Sequence, residues 1–310
     1  MGRESLVRRP QRRRDGQRRR HHRDPQRLAP GAVTRPANHR ATRRAFTLLE
    51  TLVAMSVIGA LVGVLLPALA SARGAAQRAV CASNLRQVQL ANDYYANDHA
   101  GRLLPAAIGI ATTNLHRWHG TRSTPAEPFD PADGPITPYL EDGAASVRAR
   151  ACPTFEPVLA ALEGSGRGFE AGAGGYGYNA AFAGVVRRPA AGGAWVIERD
   201  DLGSLRSRFA DPSSTVAFAD AAFADRRGVG GLIEYSFAEP RFWPDFPGAR
   251  PNPSIHFRHG GSANTAWLDG HVTAERRSHT WAGIGFGVDA GAVGLGWFGR
   301  GDGNDLFDYD

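Results

Sequence analysis

Apolar and polar positions divide this chain unevenly. Residues 1–44 are poor in apolar side chains. From Phe46 to Leu66 there follow 21 residues in which Glu50 is the only charged one. As a helix this stretch rises roughly 31 Å, enough to cross the hydrocarbon core of a bilayer. Past Pro67, Leu69, Ala72, Ala76, Val80, the Asn84/Leu85 step, Val88, Ala91 and Tyr95 recur at three- and four-residue spacing. That is the period of an amphipathic helix, and Arg73, Arg78, Arg86 and Gln89 fall largely off its apolar stripe. The pattern predicts one long helix over 46–98, with its membrane half at 46–66. Gly101 and Pro105 close it.

Beyond residue 105 the apolar runs shorten, and Gly and Pro become frequent. Val185-Val186, Ala194–Ile197, Thr215–Phe218, Leu232–Phe237, Ser254–Phe257 and Thr265–Leu268 read as short strands between loops. Pro125 to Pro138 reads as a surface loop. Asp269-Gly270, flanked by apolar residues, predicts a type I′ hairpin turn. It would complete a three-stranded meander: Ile255–Arg258 with His259 at its end, the loop 260–264, Thr265–Leu268, and a strand after Gly270. The Gly-rich stretch Gly283 to Gly299 reads as a segment laid across the head or as a final strand. The predicted class is α+β: a long N-terminal transmembrane-plus-amphipathic helix followed by an antiparallel β-sheet head. The expected divisions are a leader at 1–45, the helix at 46–98, a β-rich head at 99–273 and a Gly-rich C-terminal segment with an acidic tail at 274–310.

The net charge of +7 would by itself point to nucleic acid, but its distribution changes that reading. Residues 1–44 hold 15 arginines against Glu4, Asp15 and Asp24, a net +12; the rest holds 22 arginines against 27 acids, a net −5. A chain without its leader is mildly acidic, and no specific nucleic-acid partner is expected. The Arg-rich side of a span stays in the cytoplasm, so the head is expected outside it. The leader is too polar to fold by itself. It is long for a leader, and Val33 would serve as an alternative start. Glu50 is a costly residue, roughly 2.5–3.5 kcal/mol at the centre of a lone span, so it points to a function.

Arg43-Arg44-Ala45-Phe46-Thr47-Leu48-Leu49-Glu50 resembles the N-terminus of type IV prepilins and type II secretion pseudopilins. The resemblance implies cleavage by a prepilin peptidase between Ala45 and Phe46, and N-methylation of Phe46. It also implies pairing of Glu50 with the N-terminal amine of a neighbouring subunit. Ala45 departs from the Gly usual before the cut. Pro67 stands where many pilins carry a helix-kinking proline. An uncleaved anchor and a secretory signal peptide cut near Ala70 are the other readings of this stretch. A signal's apolar region is shorter, about 7–15 residues, and lacks an acid near its start.

His259, nine residues and Asp269-Gly270 resemble the His-x9-Asp-Gly signature of a planctomycete-type prepilin family. Cys81–Gln87, Cys152-Pro153, Gly175–Asn179 and Asp211–Thr215 leading into Asp220 match that family in kind and order. Cys81 and Cys152 either pair as a disulfide, as an extracytoplasmic location permits, or stay free. A catalytic use of His259 and Asp269 would need a nucleophile, and no Gly-x-Ser-x-Gly elbow occurs. The expectation is that both are structural and that the protein is not an enzyme. No cofactor is firmly implied. Heads of type II major pseudopilins bind calcium, and the tail offers Asp302, Asn304, Asp305 and Asp308 as oxygen ligands; the competing expectation is a disordered acidic tail. His259 with Asp220 and Asp269 is a weaker transition-metal set. The aromatics Phe242, Trp243 and Phe246 among prolines either pin a loop to the core or line a glycan or partner surface.

The functional expectation is a pilin-like or pseudopilin-like structural subunit of a type II secretion or type IV pilus-like filament. It would sit single-pass in the inner membrane until cut by the peptidase. Its partners would be that peptidase, other pilin-like subunits and the secretion or pilus machinery. The alternative is a membrane-anchored extracytoplasmic binding module that does not polymerise.

Overall fold

A computed structural model describes residues 46–140, 151–163, 170–280 and 284–310. The leader and Ala45 lie outside the described residues. The chain has a long apolar N-terminal helix followed by antiparallel β-sheets, an α+β fold. By its contacts it divides into Met1–Met55 and Ser56–Asp310, so the division falls inside the helix.

Helix α1 runs without interruption over Leu48–Asp98 and carries Pro67 in its interior. Its buried face is Cys81, Leu85, Val88, Gln89, Ala91, Asn92 and Ala96. This corrects the sequence stripe in two ways. Leu69 and Val80 are exposed, so the buried face begins at Cys81. Gln89, which falls off the apolar stripe, is fully buried beside Asn92. Both are tolerated because they are hydrogen-bonded. Asn92 Oδ1 accepts the Leu104 amide at 3.0 Å, and Gln89 Nε2 donates to Asp93 Oδ1 at 3.2 Å. The helix ends with Ala100 at φ 52° and Gly101 at φ 80°, the Gly101 amide returning to Ala96 O at 2.8 Å. That is the six-to-one closure of a Schellman motif.

The central sheet has four antiparallel strands in the order Val272–Arg276, Ser262–Trp267, Val216–Asp220, Tyr176–Tyr178. The two central strands are buried along their whole length. The second half of α1 and the outer strand are buried in the same core and meet at Leu104: its amide donates to Asn92 Oδ1, and its carbonyl accepts the Tyr178 hydroxyl at 3.1 Å. Gly177 lies between Tyr176 and Tyr178 because a Cβ there would stand 2.5 Å from the Phe237 carbonyl carbon. Cys81 on α1 and Cys152, just before the short helix Glu156–Leu162, form a disulfide with Cα atoms 4.9 Å apart.

The expected meander does not form. Ile255–His256 pairs instead with Leu295–Gly296, and Val216–Asp220 takes the place beside Ser262–Trp267. The type I′ geometry expected at Asp269-Gly270 occurs instead in the preceding loop. His259 and Ser262 bond each other's backbone at 3.0 and 3.3 Å around Gly260 (φ 63°) and Gly261 (φ 83°), the geometry of a type I′ turn. At Asp269-Gly270 only the glycine is left-handed, at φ 97°, and its amide bonds Trp267 O at 2.9 Å while Trp267 N bonds His271 O. This is a three-residue hairpin loop with a glycine bulge, because Asp269 keeps a negative φ. Of Leu232–Phe237 only Leu232–Ile233 is strand; Glu234 and Ser236 within it are buried polar residues.

The tail is not disordered. Phe307 and Tyr309 are buried, Val216 N bonds Leu306 O at 2.7 Å, and Asn179 Nδ2 bonds Phe307 O at 2.8 Å. Acidic residues alternate there with aromatic ones, and the aromatic ones fill the core.

Candidate functional site at the helix N-terminus

The first turn of α1 is organised by two side chains. Thr47 Oγ1 accepts the Glu50 amide at 3.2 Å, and Glu50 Oε2 accepts the Thr47 amide at 2.8 Å. The Thr47 hydroxyl also donates to Oε2 at 2.9 Å. This reciprocal pair is a capping box, which satisfies two of the amides a helix start leaves open. It places a carboxylate at the positive end of the helix dipole. Glu50 Oε1 takes no hydrogen bond among the described residues. Phe46 precedes the cap and is 84 % exposed. From Leu48 to Leu66 every side chain is exposed, and the most apolar window of the helix has a mean hydropathy of 2.5. Such a surface cannot stay in water, and by length it can cross a membrane.

The structure gives His259 and Asp269 different partners. His259 is buried in the Gly260-Gly261 turn, its Nε2 3.2 Å from Asp220 Oδ2 and 3.6 Å from Cys152 Sγ. Asp220 is fully buried and accepts the Asn264 amide at 2.7 Å. Asp269 is on the surface, where its Oδ1 meets His271 Nδ1 at 2.6 Å; burial, the largest single influence, raises its carboxyl, but the bonds to the His271 amide and ring together hold it below the usual range. The His259–Asp220 half of the transition-metal set is therefore together, and Asp269 is apart from it. Cys81, Cys152 and His259 also converge, but both sulfurs are spent in the disulfide. The proposed calcium ligands are largely committed elsewhere. Asn304 Oδ1 accepts the Phe242 amide at 3.0 Å, and Asp302 faces Arg250 at 3.2 Å and Arg241 at 3.5 Å. Burial lifts the Asp308 carboxyl to about 6. The aromatic group divides: Arg250 stacks on Phe242, whereas Trp243 and Phe246 are exposed.

One constellation had no signal in the sequence. Buried Ser236 Oγ lies 2.8 Å from His119 Nε2 and donates to Glu170 Oε2 at 2.7 Å, while Glu170 grips Arg117 at 2.5 Å. It holds serine, histidine and carboxylate, yet it is not wired as a triad. The carboxylate binds the serine, His119 Nδ1 has no hydrogen-bond partner among the described residues, and Ser236 is wholly shielded from solvent. Burial, with Arg117 adding to it, lowers the His119 pKa to about 3, so the imidazole is neutral. The residues come from segments more than fifty positions apart, and no spacing rule would join them.

Residues 40–66 match the family model described as the prokaryotic N-terminal methylation motif. No curated protein and no solved structure matches the chain. The matched stretch is the basic-to-apolar junction with Phe46, the capping box and the membrane-length helix. It supports a pilin-like protein processed by a prepilin peptidase and anchored in a membrane.

Proposed function

We propose that this chain is a pilin-like or pseudopilin-like structural subunit. The methylation-motif match at residues 40–66, laid over an exposed apolar helix, carries this reading. A peptidase cuts between Ala45 and Phe46, Phe46 becomes an N-methylated terminus, and the subunit then enters a type II secretion or type IV pilus-like filament. Before that it sits in the inner membrane, with its basic leader in the cytoplasm and its head outside. The head plays a structural part rather than an enzymatic one. Its His-x9-Asp-Gly signature resembles that of a prepilin-type family, and His259 and Asp269 serve turns in it.

The capping box gives the assembly role a physical form. In the lone subunit Glu50 Oε2 is taken up by Thr47, and Oε1 has no partner among the described residues. A carboxylate edge in lipid is costly, and a neighbour's N-terminal ammonium offsets that cost only when it arrives at this depth. The charge therefore selects register as well as association. N-terminal sequencing of membrane-extracted protein tests the first step. The expected mature chain begins at methylated Phe46. A chain beginning near Ser71 would identify a cleaved signal peptide and overturn the reading.

A further inference from the structure

Just beyond the membrane-length stretch, α1 forms one wall of a polar cavity of about 440 Å³. Ser71 and Arg78 line it from the helix, Thr154 and Ser262 from the head, and Arg258 and Arg276 complete it. Arg78 and Arg276 are exposed, and neither guanidinium has an ion pair or hydrogen bond among the described residues. Arg258 is held from behind: Nη2 donates to Ala221 O at 2.6 Å and Gly175 O at 3.0 Å, and the guanidinium stacks on Phe155. Its Nε and Nη1 are shielded from solvent and have no hydrogen-bond partner among the described residues. Buried Asp220 and Glu234 offset the charge of Arg258, but nothing described offsets Arg78 and Arg276 at the mouth.

Unpaired guanidiniums with the hydroxyls of Ser71, Thr154 and Ser262 around a cavity this size suit a tetrahedral oxyanion. The position on the helix indicates where that anion comes from. Ser71 lies about 8 Å past Leu66 and Arg78 about 18 Å past it, and helical side chains lean back toward the N-terminus. The headgroup layer is roughly 5–8 Å thick on each side of the hydrocarbon core. When Phe46–Leu66 spans the membrane, Ser71 stands at the outer edge of the headgroup layer and the Arg78 backbone about 10 Å beyond it, its side chain leaning back toward the membrane, so the cavity faces the headgroups from the water side; the inference rests on that reading. We infer that this cavity binds the phosphate group of an anionic phospholipid, steadying the head on the membrane surface until the subunit leaves for a filament.

The experiment uses the full chain extracted from bilayers of phosphatidylcholine mixed with phosphatidylglycerol, with retained lipids counted by native mass spectrometry. The double variant Arg78→Gln/Arg276→Gln is compared with wild type and with Arg188→Gln, which removes an exposed arginine from a different strand pair. Wild type and Arg188→Gln are expected to retain phosphatidylglycerol over phosphatidylcholine, and the double variant to lose that preference by roughly tenfold or more. Equal retention by all three would overturn the proposal. Inorganic phosphate, added in a parallel arm, should not displace the lipid; complete displacement would make free phosphate the ligand and end the lipid assignment. Failure of the wild-type chain to enter bilayers at all would refute the anchor reading instead, so the two failures are separable.

Discussion

Within α1, residues 48–66 carry one charge and bury nothing, whereas residues 81–96 carry Arg86 and Asp93 and contain all seven buried positions of the helix. The apolar half is exposed along its whole length among the described residues, and the mixed half contributes to the core. The contrast shows that apolar content alone does not say where a helix packs. A side chain needs a partner matched to its surroundings. In the first half lipid suits every residue but Glu50, which is met by Thr47. In the second half protein surrounds the face, and even Gln89 and Asn92 fit because their amides are bonded.

The largest expected effect breaks the second half alone. The Cys81–Cys152 disulfide closes a loop with a sequence separation of 71 and ties α1 to the head. Constraining a loop of that length contributes about 4 kcal/mol. Cys152→Ser should lower head stability by that order in denaturant unfolding while leaving membrane anchoring intact. An unchanged unfolding midpoint would show that α1 is held without the bond.

Glu50→Val tests the first half. Removing the charge should favour insertion and also abolish the capping box. The variant should therefore anchor as well as wild type, or better, and enter filaments poorly when expressed with the machinery. Normal filament entry would remove the pairing role from Glu50.

A third effect separates the two regions by pH. Burial lifts the Glu239 carboxyl to about 7 from an ordinary 4.5, only partly offset by the Tyr235 hydroxyl 2.7 Å away. The folded head binds this proton more tightly than the unfolded chain. Its contribution is complete below about pH 4.5 and is lost as pH rises through about 7. His119 works in the opposite sense: with its folded value lowered to about 3 from 6.5, it weakens the head as pH falls through that window. Glu239→Gln should raise the melting temperature at pH 8, by a change of about 3 kcal/mol, and have little effect at pH 4.5. Equal effects at both values would refute the assignment.

The legible parts of the sequence were those governed by local periodicity. The 21-residue apolar run, Glu50 in it and the end of α1 at Gly101 all follow from spacing along one element. The strand runs at 215–218 and 265–268 fall on the two central strands for the same reason. Pairing was not legible. Ile255–His256 joins Leu295–Gly296, forty residues away in sequence, rather than its near neighbour, because long-range pairing depends on which buried surfaces fit. The Asp220–His259 contact and the Arg117–Glu170–Ser236–His119 network lie on separate segments for the same reason. The tail misled by composition, since its aspartates mask Phe307 and Tyr309, which are core residues.

The smallest expected effect concerns two left-handed positions, one occupied by glycine and one not. Gly270 has φ 97°, and the nearest atom to a Cβ there is Asp93 Oδ2 at 3.9 Å, so space is available and only backbone strain opposes a side chain. Gly270→Val should therefore cost about 1 kcal/mol or a little more, without the larger loss that a core clash would bring. Ala100 closes α1 at φ 52°, where an L-residue is strained. Glycine is the usual residue at this position of a Schellman motif. Ala100→Gly relieves the strain but also frees the unfolded chain, and the two terms partly cancel. The expected net gain is about 0.5 kcal/mol, read as a small rise in melting temperature. A loss of the same size would mean that Ala100 leaves the left-handed region in solution, and that α1 ends by fraying rather than by a fixed cap.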